Sequence, residues 1–313
     1  MPQKIIIDTD PGVDDAMAIL FAHLAPEIEL IGLTTIFGNV SVEQATINAL
    51  RLVDRMGVQI PVAQGEAQPL EKIRRDFPDF VHGKDGFGDI GLEAPVSRPH
   101  SQSAVDFLIE QVMSQPGEIT IVAIGPLTNL ALAAQKHPLI TQNIKELVLM
   151  GGAATVNGNV NPVAEANIIS DPKAADIVFT SDWPRTMVGL DVTEKVLMDE
   201  SYLKQVHSGA PLGKFILQVA QFYLDFHIST GVNGLYTHDP AAIAYVIEPE
   251  LFTTEAGEIR VVQDGIAEGL TIMNRKSKAY KDNPWSGVPK TNVCLDVDSD
   301  RLLAVYREVM RGR

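Results

Sequence analysis

Cysteine is nearly missing from this 313-residue chain. The single one, Cys294, excludes an intrachain disulfide and any thiolate-rich zinc or iron–sulfur site, and it fits a reducing compartment, with the cytoplasm as the default. Basic charge is also scarce: 25 Lys and Arg stand against 40 Asp and Glu, a net charge of −15. Such a surface does not neutralise nucleic-acid phosphates or anionic lipid heads, so the expected partner is a small molecule, with no nucleic acid and no membrane. The opening Met1 to Ile7 carries one lysine and a short apolar run, too little for a signal peptide or a membrane span. No internal repeat, low-complexity run or Gly/Ser linker divides the chain, which is therefore read as one domain over residues 1–313. No Gly-x-Ser-x-Gly elbow supports Ser/His/Asp chemistry.

What is present is alternation. Short β-branched runs at Ile5 to Ile7, Leu30 to Ile36, Ile119 to Ile124, Leu147 to Met150 and Met187 to Leu190 read as buried parallel strands. Between the first two, Met17, Leu20, Phe21 and Leu24 fall at helical spacing, and Val42 to Met56 ends at Gly57, the residue type that closes helices. The order predicts an α/β fold: an open, doubly wound, mostly parallel sheet with helices on both faces. Glu66 to Pro99 reads as an insertion over the sheet, whose glycines around Phe80 to Asp89 are candidate hinges of a lid. A helical stretch at Pro211 to His227, strands at Ile259 to Val262, Leu270 to Met273 and Val293 to Val297, and a helix at Ser299 to Met310 complete the chain.

The strongest chemical signal lies between the first strand and the first helix, where Asp8, Asp10, Asp14 and Asp15 fall within eight residues. Helix capping and the macrodipole account for one or two of them, at Asp14 and Asp15. Four converging carboxylates repel by ~4 kcal/mol per pair about 4 Å apart at an effective dielectric near 20, so they need a cation or protons. Oxygen donors without neighbouring Cys or His suit a hard ion, Ca²⁺ or Mg²⁺, and an irregular protein cage favours Ca²⁺. The same acids repel a pyrophosphate, so no NAD is implied.

In an open parallel sheet, ligands sit beyond the carboxyl ends of the strands. There the sequence offers Gly38-Asn39, Ile124-Gly125-Pro126-Leu127-Thr128-Asn129 and Met150-Gly151-Gly152. Asn39 serves equally as a turn residue, and the Ile124 carbonyl is left free of any helix to ligate. Asn157, Asn159, Asn161 and Asn167 surround the one acid Glu165, a donor and acceptor set suited to a polyhydroxylated ligand such as a sugar. In His238-Asp239-Pro240, Asp239 reads as a helix cap with Pro240 at the first helical position, as Asp171-Pro172 does, but the adjacent His238 tips it toward function. Of the other histidines, His82 stands in the glycine-rich segment, while His23, His100, His137 and His207 read as solvated surface residues.

Assembled, these residues resemble the inosine–uridine-preferring nucleoside hydrolase family. Asp8-Thr9-Asp10-Pro11-Gly12-x-Asp14-Asp15 is its hallmark, and Gly38-Asn39, Asp85-Gly86-x-Gly88-Asp89, Gly125 to Asn129, Met150-Gly151-Gly152, Asn159, Glu165, Asn167 and His238-Asp239-Pro240 extend the likeness through most of the chain. The resemblance implies hydrolysis of the N-glycosidic bond of ribonucleosides, with Ca²⁺ held by Asp10, Asp15, the Ile124 carbonyl and Asp239. It implies that Asp14, Asn39, Met150, Asn159, Glu165 and Asn167 bind the ribose, that Asp10 is the base, that His238 assists the leaving base with His82 beside it, and that the assembly is a homodimer or homotetramer. Phe222 to Gly231 does not align with the family's tyrosines, which leaves base preference open, and Tyr236 is a stacking or a packing residue. Two rivals remain: a Mg²⁺-dependent haloacid-dehalogenase-type phosphatase with Asp8 as nucleophile, and a non-catalytic nucleoside- or ribose-binding protein.

Overall fold

A computed structural model describes residues 1–275, 280–281 and 283–312. The strands are β1 (Gln3–Thr9), β2 (Ile28–Thr35), β3 (Val62–Gln64), β4 (Ile119–Ala123), β5 (Glu146–Met150), β6 (Arg185–Val188), β7 (Leu197–Met198), β8 (Leu235–Tyr236), β9 (Phe252–Val261), β10 (Thr271–Asn274) and β11 (Lys290–Val297). The helices are α1 (Val13–Leu24), α2 (Val42–Met56), α3 (Asp79–His82), α4 (Ala104–Ser114), α5 (Thr128–Lys136), α6 (Ile140–Asn143), α7 (Ala166–Ser170), α8 (Pro172–Thr180), α9 (Leu190–Thr193), α10 (Glu200–His207), α11 (Gly213–Ser229), α12 (Asp239–Ile247) and α13 (Ser299–Met310).

The central strands are continuous apolar runs because both of their faces are covered. Ile5 and Ile7 of β1 pack with α1, α11, α12 and α13 on one side, while Ile6 packs with α4, α5 and α8 on the other. The sheet runs in the order β10-β9-β11-β6-β5-β4-β1-β2-β3. From β3 to β6 every neighbour is parallel, as is β6 with β11, and only β9 pairs antiparallel with β10 and β11. This is the expected open α/β sheet, with its antiparallel pairing confined to one end.

Local chemistry sets the helix ends. Ser41 Oγ accepts from the Gln44 N–H at 3.3 Å to start α2, and Gly57 ends it at φ +67°, a left-handed conformation that favours glycine. The strand expected over Met187 to Leu190 stops at Val188, since Gly189 opens the one-turn helix α9. The glycines expected as hinges lie in a turn tied to the start of α1. Gly83, Gly86 and Gly88 all have positive φ, and a Cβ on Gly86 would lie 2.9 Å from both Asn48 Nδ2 and the Pro11 carbonyl. Asn48 Nδ2 donates to the Pro11 and Asp85 carbonyls, stitching this turn to the start of α1. His207, expected on the surface, is fully buried against Tyr306, because α10 packs on α13. Among the described residues, no helix is long and apolar enough to cross a membrane.

Register decides where the site lies. Thr9 pairs with Thr35, Asp8 with Ala123 and Ala123 with Leu149, so the chain leaves β1, β2, β4 and β5 on the same edge. That edge opens into a cavity of about 780 Å³.

Candidate active site

The four acids after β1 divide into two groups. Asp8 points away from the cavity: Oδ1 accepts from Thr34 Oγ1 at 2.5 Å and Asn129 Nδ2 at 2.8 Å, and the residue is fully buried. A nucleophilic Asp8 is therefore not favoured, nor is the phosphatase rival that needs one. Asp10 and Asp14 line the cavity, joined by Asp239 from the start of α12. Asp15 lies behind them. It anchors the loop, accepting from Thr9 Oγ1 at 2.5 Å, from the Gly12 N–H at 2.9 Å and from Asn39 Nδ2 at 3.1 Å. Carboxylate oxygens of Asp14, Asp15 and Asp239 lie within 4.8 Å of one another.

Asp10 sits in a cradle of glycines. A Cβ on Gly38 would lie 2.0 Å from its Oδ2, and one on Gly125 would lie 2.6 Å from its Oδ1. The Asn39 N–H donates to Oδ2 at 2.6 Å. Oδ1 is enclosed without a partner, as is Oδ1 of Asp14. None of the ion pairs among the described residues reaches this cluster. Burial, then mutual repulsion, holds Asp10 and Asp239 well above the ordinary carboxylate range; burial first also pushes Asp14 and Asp15 up to about 6. Orphaned buried oxygens, no lysine or arginine partner and an all-oxygen donor set fit a hard cation.

The amide loop closes the other wall. Asn167 Nδ2 donates to the Ile124 carbonyl at 3.0 Å and the Met150 carbonyl at 3.1 Å, joining the ends of β4 and β5. The Ile124 oxygen is therefore engaged once, with its second lone pair left over. Glu165 is a buried N-cap: Oε1 accepts from the Asn167 N–H, and Oε2 from the Gly152 and Ile168 N–H groups. Burial raises its pKa. Asn159 is held through Oδ1 by the Ala166 N–H at 3.1 Å. Ile124, Met150, Asn159, Glu165 and Asn167 line the cavity with Asn39.

The same cavity is also lined by histidines and aromatic rings. His238 Nδ1 lies 2.9 Å from Thr193 Oγ1, and His82 Nδ1 accepts a long bond from the Val13 N–H at 3.4 Å. Burial pushes His238 down to about 3 and His82 to about 4, so both rings are neutral at pH 7. Around them stand Phe80, Tyr223, Phe226, His227 and Tyr236. Tyr236 lines the cavity, so its stacking role survives; Tyr223, Phe226 and His227 went unassigned in the sequence. Their signal was there: Tyr223, Phe226 and His227 fall at i, i+3 and i+4 on α11, its C-cap Thr230 follows at i+7, and all four line the cavity. Thr193 carried no signal, since nothing in the sequence ties it to His238.

A cavity lined both by acids and amides and by aromatic rings suits a molecule that is part polyol and part flat ring. The sequence profile of the inosine-uridine preferring nucleoside hydrolase family matches residues 5–304. The chain belongs to that family. It is 46% identical to uridine nucleosidase 1 of Arabidopsis thaliana over 305 residues, 96% of this chain and 91% of that protein. It is 39% identical to the inosine-uridine preferring nucleoside hydrolase of Leishmania major, over 96% of this chain and 95% of that protein. Among solved structures, a plant nucleoside hydrolase superposes with a TM-score of 0.97 at 41% identity, each chain covered in full. This nucleoside hydrolase is accordingly a glycosidase that cleaves the N-glycosidic bond of ribonucleosides. A purely nucleoside-binding role is not favoured.

Proposed function

We propose that Asp10 is the general base and that the cluster holds Ca²⁺ through Asp10, Asp15, Asp239 and the Ile124 carbonyl, with Asp14 close enough to share it. A bound Ca²⁺ supplies Lewis-acid charge there, making an adjacent water more acidic and orienting sugar hydroxyls. The observation that carries the reading is the state of Asp10: Oδ2 is tied to the Asn39 N–H, while Oδ1 is buried at the cavity without a partner. Oδ1 is then the atom that takes the proton from the attacking water. Asp14, Asn39, Asn159, Glu165, Asn167 and the Met150 carbonyl hold the ribose, and the nearby carboxylates favour the positive charge that develops on the sugar as the glycosidic bond breaks.

His238 assists the departing base. With its ring neutral, a Thr193 hydroxyl donating to Nδ1 leaves the proton on Nε2, which donates a hydrogen bond to the base as negative charge develops. His82 flanks the same end. The protein acts as one domain over residues 1–313, in the cytoplasm, as a homodimer or homotetramer. Incubation with inosine, uridine, adenosine and cytidine, followed by assay of free ribose with and without chelator, tests the reading. Turnover indifferent to chelator, in protein free of Ca²⁺ by elemental analysis, would remove the metal from it.

A further inference from the structure

Two residues of the sequence motifs take no part in the roles above: Asp8, the first acid of the cluster, and Asn129, near the start of α5. Both are fully buried, and neither lines the cavity. They are bonded to each other. Asn129 Nδ2 donates to Asp8 Oδ1 at 2.8 Å and to the Thr35 carbonyl at 3.0 Å, while its Oδ1 accepts from the Glu66 N–H at 3.1 Å. A carboxylate and a carbonyl accept and a backbone N–H donates, so a single orientation of the amide satisfies all three partners. Asn129 therefore joins the chain where it leaves β1, β2 and β3. The joint is tight: a Cβ on Gly65 would lie 2.3 Å from both Asn129 Oδ1 and the Thr35 carbonyl oxygen.

Both routes out of this joint lead to Asp10. Along the chain, Asp8 stands two residues before it, with its own carbonyl accepting from the Ile124 N–H at 2.8 Å. Through Glu66, whose carbonyl accepts from the Phe37 N–H at 3.3 Å, the joint reaches the Phe37-Gly38-Asn39 turn. That turn supplies the Asn39 N–H that holds Asp10 Oδ2 at 2.6 Å. One amide thus grips both the segment that carries the carboxylate and the turn that aims it.

We propose that Asn129 is a positioning residue for the hydrolysis, keeping Asp10 and the Asn39 N–H in register from outside the cavity. The inference rests on the reading of Asp10 as the base. A reacting group displaced by about 1 Å loses about 10²-fold in rate, even when the substitution lies away from the chemistry. Substrate binding is spared, because Asn159, Glu165 and Asn167 are held by bonds of their own to the Ala166 N–H, the Gly152 N–H and the Met150 carbonyl.

The test measures kcat and KM for inosine and for a nitrophenyl riboside in Asn129→Ala, in Asp10→Asn and in the double variant, with folding checked by circular dichroism. Expected in Asn129→Ala is a kcat about 10²-fold below wild type on both substrates, since both need the same attacking water, with KM within about threefold. In the Asp10→Asn background the same substitution should cost no more than about threefold, because the group it positions is gone. Asn129→Ser, whose hydroxyl can replace one of the three bonds, keeps part of the rate and carries the same comparison where the alanine variant does not fold. A rise in KM at unchanged kcat, a loss confined to inosine, or a full loss repeated on top of Asp10→Asn overturns the proposal, because a side chain that merely stabilises the fold lowers both backgrounds alike. Near wild-type turnover in Asp10→Asn alone overturns instead the reading beneath it.

Discussion

The Asn39 N–H donates to Oδ2 of Asp10 at 2.6 Å, while Oδ1 of the same carboxylate has no partner. One oxygen holds the side chain still and the other is left for chemistry. Asp10→Asn preserves an oxygen for the Asn39 bond but removes the basic site. It should lower kcat by about 10³-fold or more with an unchanged circular dichroism spectrum. Gly38→Ala should do similar damage without touching the carboxylate, since its Cβ would lie 2.0 Å from Oδ2 and would turn Asp10 out of line. Near wild-type turnover in Asp10→Asn would take the base away from Asp10.

The aromatic end separates by leaving group. His238→Ala should cost about 10²–10⁴ in kcat/KM on inosine and much less on a nitrophenyl riboside, whose leaving group departs unaided. Thr193→Val, which strips the partner 2.9 Å from His238 Nδ1, should follow the same pattern at smaller scale, and Thr193→Ser should restore it. Equal relative losses on both substrates would deny His238 a part in base departure.

Much of this was legible in the sequence because it is local. The acids after β1 lie on one turn, and their mutual repulsion is a property of that turn wherever the rest of the chain goes. The parallel sheet was legible in its apolar runs, and parallel topology then carried Asn39, Ile124 and Met150 to a common edge. What escaped depends on contacts between distant segments. His207 sits in a polar stretch yet is buried, because α13 covers it with Tyr306. Asp171 has the sequence of a plain helix cap, and it is one, but its Oδ2 also accepts from the Leu70 N–H and Thr128 Oγ1. It therefore ties the root of the 66–99 insertion to the start of α5. Nor does the sequence show that Asp15, read as a metal ligand, also accepts from Thr9 Oγ1, the Gly12 N–H and Asn39 Nδ2.

Removing the cation should show in stability as well as in rate. Asp10, Asp14, Asp15 and Asp239 are buried together, so a cation bound only by the folded chain stabilises it by RT ln(1 + [L]/Kd), about 2.7 kcal/mol at a hundred times Kd. Melting temperature should rise with added Ca²⁺ in chelated, dialysed enzyme. Asp239→Ala should abolish that response. A melting temperature indifferent to Ca²⁺ would mean that these carboxylates share protons instead.

A last prediction lies away from the site, at His207. Burial pushes its ring down to about 4 from an ordinary value of 6.5, and its Nδ1 is enclosed without a partner. Between those two values the unfolded chain binds a proton that the folded chain refuses. The penalty is therefore absent above pH 6.5 and grows as pH falls toward 4. At one pH unit per 1.36 kcal/mol, the wild type should lose about 2 kcal/mol from this group between pH 7 and pH 4.5. His207→Phe removes the titration while keeping a flat ring against Tyr306, which gives up only a long hydroxyl contact at 3.4 Å. Urea titrations of both proteins at pH 7 and pH 4.5 isolate the effect, because every other titrating group is common to the pair. The variant should gain on the wild type as pH falls, and a stability difference that stays constant with pH would show that His207 accepts its proton in the fold after all.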